Sequence, residues 1–281
     1  MPEGRFIAAC VQMRSGREPL ANRDAAVAGV REAVAAGAHY VQTPEMTSLV
    51  ERSRTAMFER VRAQEDDPTL AALRDVARET GAVVQIGSLA IRNGEKIANR
   101  AFLIDGQGEI VAAYDKLHLY DVDLPNGERW RESATYTGGA CAIVADTALA
   151  PIGLGICYDI RFPALFRALA EAGASILTAP ACFTQQTGEA HWHVLHRARA
   201  IETGSFMISA AQGGRHEDGR DTYGHSIIVD PWGRVIAEAD GAEPGVILAE
   251  IDLARVAEAR GRIPALQHAR PFTVERVGRC S

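Results

Sequence analysis

Cys157 stands at the point where a β-favouring run gives way to polar residues and then to a helix-forming stretch. The run 152–156 is Ile-Gly-Leu-Gly-Ile, and residues 158–163, Tyr-Asp-Ile-Arg-Phe-Pro, lead into an Ala- and Leu-rich segment. A cysteine at a turn between strand and helix lies near backbone N–H groups, which favour a thiolate and can hold a developing oxyanion. The pattern indicates a nucleophile at Cys157, with a small buried apolar cysteine as the alternative.

A carboxylate and an ammonium follow two other predicted strands in the same way. Glu45 comes after the run 40–43, and Lys116 comes after the run 110–114. Because strand ends collect catalytic groups, these two and Cys157 supply a base, a cation and a nucleophile, the set that acyl transfer by a thiol needs. The alternatives are a helix cap for Glu45 and a solvated loop charge for Lys116.

The elements that must position these groups are strands and helices in alternation. Tight turns at 92–95 and 105–108 join some strands, whereas helical crossovers join others, which predicts an α/β fold with mixed sheets. The predicted helices are 22–36, 68–80, 163–172, 190–203 and 254–260, and the predicted strands are 6–13, 40–43, 82–91, 98–104, 110–114, 141–145, 151–156, 175–179, 206–211, 226–230, 235–239 and 246–251.

Two stretches lie outside this alternation. Residues 116–139 are polar, aromatic and without a clear period, so we predict a long loop of the kind that is usually functional. No linker rich in Pro, Ser or charge divides the chain, which predicts a single domain over 1–281. The tail 263–281 is apolar enough that we expect it to pack at a subunit interface, in a homodimer or a larger homo-oligomer.

The composition narrows the partners and the compartment. The 281 residues are 47% hydrophobic and 23% charged, with a net charge of −6, so nothing favours nucleic acid or an anionic membrane as a partner. The first residues lack a secretion signal, and no apolar run is long enough to span a bilayer, which predicts a cytoplasmic protein. The five cysteines are irregularly spaced, so we expect reduced thiols.

Four dispersed blocks carry a resemblance that extends over nearly the whole chain. They are Thr43-Pro-Glu45-Met, Tyr114-Asp-Lys116-Leu-His118-Leu-Tyr-Asp-Val-Asp123, Arg131-Glu132-Ser133 and Gly155-Ile-Cys157-Tyr-Asp-Ile-Arg161-Phe-Pro. In these blocks the chain resembles the nitrilase superfamily of carbon–nitrogen hydrolases. The resemblance implies a four-layer α-β-β-α sandwich, a catalytic triad of Glu45, Lys116 and Cys157, Glu132 as a second acid beside the lysine, and no cofactor.

The C-terminal half points to one branch of that superfamily. The blocks 188–202, 210–216 and 223–233 resemble the branch that contains deaminated-glutathione amidase and omega-amidase. True nitrilases usually have Trp after the cysteine, and Tyr158 stands there instead, which favours an amide over a nitrile. The resemblance implies hydrolysis of a small carboxylate-bearing amide through a thioester, with deaminated glutathione as the first expectation. Omega-amidase activity on α-ketoglutaramate, N-carbamoyl amino-acid hydrolysis and a non-catalytic scaffold role are the alternatives.

Four further residues are expected at the substrate. The Tyr158 backbone N–H is a second oxyanion donor, and Arg161 can pair with a substrate carboxylate or, alternatively, with Asp159 or another internal acid. The resemblance suggests that Phe183 and Thr187 line the pocket, although Phe183 could equally be core. We expect Glu45 to have a raised pKa, because it must act as both base and acid.

Three other features of the sequence could indicate a different kind of site. His191, His193 and His196 lack the supporting acidic ligands of a helical metal site, so we expect no metal there. Gly153-Leu-Gly155 lacks the third glycine of a dinucleotide-binding turn. His118 allows a papain-like Cys–His pair, but we expect it to shape the loop around Lys116.

Overall fold

The computed structural model describes residues 4–125 and 127–278. Residues 1–3, Asn126 and 279–281, Cys280 among them, lie outside the described residues. The strands are, in chain order, β1 (Arg5–Gln12), β2 (Tyr40–Gln42), β3 (Val83–Asn93), β4 (Lys96–Ile104), β5 (Ile110–Asp115), β6 (Asp121–Asp123), β7 (Arg129–Arg131), β8 (Tyr136–Thr137), β9 (Ile143–Asp146), β10 (Pro151–Leu154), β11 (Ile176–Thr178), β12 (Phe206–Ser209), β13 (Gly213–Arg215), β14 (Asp221–Tyr223), β15 (Ile227–Val229), β16 (Val235–Glu238) and β17 (Gly245–Asp252).

Within the described ranges, six α-helices accompany these strands. They are α1 (Pro19–Ala35), α2 (Arg54–Arg60), α3 (Pro68–Thr80), α4 (Pro163–Glu171), α5 (Gln185–Thr203) and α6 (Ala254–Arg262). The ends of α3 follow from its sequence: Asp67 accepts the N–H groups of Thr69 and Leu70, and Gly81 ends the helix at a φ of +72°. None of the helices in the described ranges is long and apolar enough to cross a membrane.

Two mixed sheets form the centre of the molecule. The first has the order β17-β1-β2-β3-β4-β5, with β8 added beside β4, and the second has the order β16-β15-β12-β11-β10-β9. In the first sheet β1, β2 and β3 run parallel, and in the second β10, β11 and β12 do. Hairpins extend both sheets with antiparallel strands, as the alternation of crossovers and tight turns predicts.

The side chains of β1 show how the layers pack. Ala8 and Cys10 point into a core that also contains Ile176 and Phe206 of the second sheet. Ala9 and Val11 lie in a second core with the apolar faces of α1 and α3. Helices α4 and α5 cover the outer face of the second sheet. The layers are therefore helix, sheet, sheet and helix, and the predicted α-β-β-α sandwich is confirmed.

The elements differ from the sequence prediction in several places, including the β13–β14 hairpin, which lies where a loop was predicted at 213–223. Residues 116–139 contain the β6–β7 hairpin, a 3-10 turn at Glu132–Ala134 and β8, where a loop was predicted. Strands of two or three residues are too short to show a period, which explains the miss. Helix α2 was not predicted, and α5 begins at Gln185, so Thr187 lies in its first turn.

Candidate active site

Cys157 lies at a sharp turn after β10, where the second sheet ends. Its φ is +47°, and Met46 and His225 are the other non-glycine residues with a positive φ in the described ranges. Such a conformation costs about 1–3 kcal/mol and persists where the surroundings enforce it. The Cys157 N–H donates to Pro180 O at 3.0 Å, and a 3-10 helix runs from Cys157 to Arg161. The turn fixes Cys157 against the sheet, and the Tyr158 N–H lies in the first turn of that helix, where N–H groups lack intrahelical partners.

Asp159 anchors this turn from beneath. Its carboxylate is fully buried and accepts the Ile156 N–H at 2.9 Å, the Tyr114 hydroxyl at 2.7 Å and the His118 N–H at 3.0 Å. The His118 ring lies 2.7 Å from Asp159 Oδ1 and stacks on Phe162. His118 is thereby held in the loop around Lys116, and the papain-like alternative has no support from its contacts.

Glu45, Lys116 and Glu132 form a buried charged network beside Cys157. Lys116 Nζ lies 2.9 Å from Glu45 Oε1 and 3.0 Å from Glu132 Oε2, and the exposed fractions of the lysine and two glutamate side chains are 3%, 5% and 12%. The Asn99 amide donates to Glu45 at 2.9 Å and to Glu132 at 3.1 Å. The structure thus brings Glu45, Asn99, Lys116 and Glu132 together from distant parts of the chain. With Cys157, these residues form one wall of a cavity, which we call its floor.

Burial and the charges of the network determine whether the pKa of each group is raised or lowered. Burial would raise the pKa of Glu45, but the Lys116 charge and the hydrogen bonds from Lys116, Cys157 and the Cys182 N–H hold it below its ordinary value. Burial would lower the pKa of Lys116, and the two glutamates raise it well above the usual range. Burial and the Glu45 charge raise the pKa of the Cys157 thiol. The expected raised pKa of Glu45 is therefore wrong, because Lys116 lies in direct contact.

A bulge in β3 holds the turn that presents Glu45. The pairing of β3 with β4 shifts between Ile86 and Leu89, and a Cβ placed on Gly87 would lie 2.2 Å from Thr43 O. The Ser88 hydroxyl accepts the Met46 N–H at 2.9 Å. Sequence reasoning missed Gly87, Ser88 and Asn99. Their signals were a glycine and an asparagine inside strand patterns, where both are disfavoured.

A cavity of about 280 Å³ opens above the floor. Phe183 and Thr187, which were expected to line it, are among its lining residues, and so is Tyr158, whereas Arg161 is not. The Arg161 guanidinium lies 5.2 Å from the Phe183 ring centroid, and its Nη1 is 3.2 Å from His191 Nδ1. Pairing of Arg161 with Asp159 is wrong, because Asp159 is occupied by other donors.

Basic and aromatic residues form the mouth of the cavity, and sequence reasoning missed them. Trp130 lies between two guanidinium groups, with Arg52 at 4.7 Å and Arg220 at 5.0 Å from its ring centroid. Arg220 forms an ion pair with Asp218, and Arg131 forms one with Asp123, whereas Arg52 has no ion pair with any acid of the described residues. The only available signal was that these residues fall in stretches without a period.

The three histidines of α5 have separate surroundings. His196 is buried with Nδ1 2.8 Å from Trp192 O, and burial lowers its pKa to about 3. His191 contacts Arg161, and His193 contacts Glu238. His191, His193 and His196 therefore do not face one common metal position.

The chain is similar to known proteins over most of its length. The family description "Carbon-nitrogen hydrolase" matches residues 7–261. The deaminated glutathione amidase of Yersinia enterocolitica is 40% identical over 238 residues, which cover 83% of this chain and 82% of the relative.

Solved structures show the same similarity. The C. elegans NitFhit protein matches with a TM-score of 0.89 at 34% identity, over 96% of this chain and 66% of that chain, so this chain spans about two thirds of that protein. A mutant amidase from Nesterenkonia sp. AN1 matches with a TM-score of 0.77 at 26% identity, over 92% of this chain and 98% of that one, and its active-site cysteine has undergone Michael addition of acrylamide. The resemblance noted in the sequence is confirmed: the chain belongs to the carbon–nitrogen hydrolase family.

Proposed function

We propose that Cys157 is the nucleophile of an amidase that forms a thioester, and that its substrate is deaminated glutathione. The observation that carries the mechanism is the convergence of Cys157, Glu45 and Lys116 on one floor beneath a cavity of about 280 Å³. A scaffold protein has no need for a lysine and two carboxylates that are buried at such a desolvation cost. The names of the similar proteins support the substrate.

The first half-reaction begins with a protonated thiol and an ionised base. Glu45 accepts the Cys157 proton as the sulfur attacks the amide carbonyl carbon, and the carbonyl oxygen becomes an oxyanion. The Lys116 ammonium and the Tyr158 N–H hold this oxyanion. Because the pKa of Glu45 is low and that of the thiol is high, the proton moves only as the carbon–sulfur bond forms.

Collapse of the tetrahedral intermediate breaks the carbon–nitrogen bond. Glu45 donates its proton to the leaving amine, and the acyl group remains on sulfur as a thioester. Glu45 then removes a proton from a water that attacks this thioester, and the thiol leaves with that proton while the acid is released. Glu132 and Asn99 are positioning residues, since Glu132 holds Lys116 and Asn99 holds Glu45 in place.

The mouth of the cavity fits a substrate with more than one carboxylate. Deaminated glutathione carries an α-keto acid at one end and a carboxylate at the other. Arg52 has no acidic partner in the described part of the chain and lies at the mouth, so it is available to such a group. Arg161 stays a prediction as a second carboxylate partner, positioned behind Phe183.

A side-by-side assay tests this proposal. It measures cysteinylglycine release from deaminated glutathione, ammonia from α-ketoglutaramate, and ammonia and carbon dioxide from an N-carbamoyl amino acid. We expect the first substrate to have the highest kcat/KM, and a higher value for another would overturn the substrate assignment. Cys157→Ala abolishes the activity, whereas Cys141→Ala, at an exposed cysteine, retains it. Activity that survives in Cys157→Ala would remove the mechanism.

We further propose that residues 1–281 form one catalytic domain that acts in the cytoplasm as a homodimer or a larger homo-oligomer. The support for the assembly is the C-terminal tail, where Phe272, Val274 and Val277 are 85%, 86% and 91% exposed in the single chain. Light scattering on the full chain and on a chain that ends at residue 262 tests the assembly. The truncated chain is expected to have the smaller mass, and equal masses would contradict a role for the tail.

A further inference from the structure

A second cluster of chemically versatile side chains lies outside the cavity. His193 is on α5, His225 is in the turn between β14 and β15, and Glu238 ends β16. His193 Nε2 lies 2.7 Å from Glu238 Oε1, and His225 Nδ1 lies 2.8 Å from the same oxygen. One ligand atom from each of the three residues lies within 4.8 Å of the other two.

The backbone at His225 is held in an unusual conformation. Its φ is +55°, which is uncommon for a residue with a side chain. The His225 N–H donates to Gly241 O at 3.0 Å, and its carbonyl accepts the Trp192 indole N–H at 2.8 Å. The position of His225 is therefore fixed from two sides, one of which is α5 itself.

The ring of His225 is fixed as well. It stacks on Tyr223 with centroids 4.3 Å apart and an angle of 25° between the rings. Tyr223 in turn packs against α5 at Gly188, where an added Cβ would lie 2.2 Å from its ring. A ligand side chain that is held before the ion arrives loses less conformational entropy on binding.

The three groups match the ligand preferences of a borderline divalent cation. Two imidazole nitrogens and one carboxylate oxygen are typical donors for Zn²⁺ and for Co²⁺ or Ni²⁺. A tetrahedral ion with bonds of about 2.0–2.1 Å separates its ligand atoms by about 3.3 Å, so small side-chain rotations would suffice here. The side chains of His193, His225 and Glu238 are 34%, 26% and 31% exposed, which leaves room for water at the fourth position.

The charge of the cluster also favours a cation. Glu238 is the acidic member of the cluster, and its Oε1 faces a ring nitrogen of His193 at 2.7 Å and of His225 at 2.8 Å. Glu189 lies one helical turn before His193, on the same face of α5. No arginine or lysine of the described residues forms an ion pair with Glu238.

We propose that His193, His225 and Glu238 bind a divalent transition-metal ion, with zinc as the probe. The ion would tie α5 to the turn after β14, and Thr222 of β14 lines the catalytic cavity. Its role would be to brace this wall, since none of the three ligands lines the cavity. The inference does not depend on the proposed substrate or on the role of Cys157.

Calorimetric titration of the metal-free full chain with zinc chloride tests the site. We expect one ion per chain with a Kd in the micromolar range, and a Tm about 5 °C higher at a hundredfold excess of zinc over Kd. His193→Ala, His225→Ala and Glu238→Gln each weaken binding by tenfold or more. Glu238→Gln keeps the shape of the side chain, so its loss of affinity separates ligation from misfolding. His268→Ala, at an exposed histidine outside the cluster, keeps the wild-type affinity.

The catalytic cysteine is the competing zinc ligand, and the titration is repeated on Cys157→Ser to identify it. Unchanged affinity in Cys157→Ser with lost affinity in His193→Ala supports the site. Loss of binding in Cys157→Ser, retention in the double variant His193→Ala/His225→Ala, or a wild-type Kd weaker than about 100 μM would overturn it.

Discussion

The floor of the catalytic cavity buries its charged side chains, whereas the mouth exposes Arg52 and Arg131 to solvent. On the floor, the side chains of Lys116 and Glu45 are 3% and 5% exposed and make hydrogen bonds of fixed geometry. At the mouth, the Arg131 side chain is 51% exposed, and Arg52 rests on the face of Trp130. This difference is the basis of the division of labour that we propose, in which the floor acts on the scissile bond and the mouth holds the substrate.

The energetics of the two regions differ for the same reason. Removing one partner of a buried ion pair leaves an uncompensated charge and typically costs about 3–5 kcal/mol. An exposed pair contributes about 0–1 kcal/mol, because water and salt screen it. Substitutions on the floor should therefore affect turnover and stability together, whereas substitutions at the mouth should affect KM alone.

The largest effect is expected for Glu45→Gln. It removes the group that accepts the thiol proton, and general-base catalysis contributes about 10²–10⁴-fold, so kcat falls by about that factor while the hydrogen-bonding shape is kept. The matched control is Glu51→Gln, at a buried glutamate that also lines the cavity but pairs with Arg17. Steady-state kinetics that show more than a tenth of wild-type turnover in Glu45→Gln would place the base elsewhere.

Lys116→Met comes next, because it removes an oxyanion donor. Loss of one such donor costs about 2.7–4 kcal/mol, which lowers kcat by about 10²–10³. Lys96→Met is the control, at the only other lysine of the chain, whose ammonium is bound to Ser133 O on the surface. A loss of less than tenfold would argue against a role for Lys116 at the oxyanion.

The same variant tests the pKa direction at Glu45. In the wild type the Lys116 charge lowers the pKa of Glu45, so the base stays ionised and the acid limb of kcat/KM lies below the ordinary value of 4.5. Without Lys116, burial raises that pKa, and the limb moves to higher pH. The rate of Cys157 alkylation by iodoacetamide, measured against pH, should shift in the same direction. An unshifted limb would mean that Lys116 does not control the charge on Glu45.

Gly87→Ala tests how the floor is positioned. The new Cβ would lie 2.2 Å from Thr43 O and 2.5 Å from Pro44 O, so the turn that presents Glu45 must move. Overpacking of this kind costs about 1–3 kcal/mol, and we expect a lower Tm together with a tenfold or larger loss of kcat. Gly245→Ala, where a Cβ meets no atom within 4 Å, should change neither. Unchanged kcat in Gly87→Ala would mean that the turn tolerates displacement.

The sequence predicted which residues form the floor, but it did not predict the direction of the pKa shift at Glu45. Glu45, Lys116 and Cys157 each follow a strand whose pattern is visible, so the sequence could single them out together, although Cys157 follows a strand of the second sheet and the other two follow strands of the first. The direction of the Glu45 pKa could not, since it depends on a contact of 2.9 Å between residues far apart in the sequence. Arg161 shows the same limit, because its spacing from Cys157 did not reveal that its side chain packs behind Phe183.

The mouth and the histidine cluster were missed for a different physical reason. Trp130 and Arg131 lie on a strand of three residues, and one alternation is too short to distinguish from a loop. His193 was considered with its neighbours on α5, but its partners are 32 and 45 residues further along the chain. The antiparallel pairing of β15 with β16 places Glu238 opposite Ile227, and therefore beside the turn that contains His225.

The smallest effect is expected at the mouth, for Arg52→Gln. Arg52 has no acidic partner in the described part of the chain, so its charge is available to a substrate carboxylate. An exposed charge pair of this kind is worth about 1 kcal/mol, which corresponds to a KM about fivefold higher with kcat unchanged. The KM of the wild type should also rise with salt concentration, and that of Arg52→Gln should rise less.

Arg131→Gln is the control, because the Arg131 guanidinium is already paired with Asp123 at 2.8 Å. A substrate analogue that lacks the terminal carboxylate sharpens the test, since wild type and Arg52→Gln should then have the same KM. If Arg52→Gln instead lowers kcat while KM stays constant, the mouth participates in the chemistry, and the division between floor and mouth fails. If the KM difference persists with the truncated analogue, Arg52 acts on the α-keto acid end, and the substrate lies in the cavity in the reverse orientation.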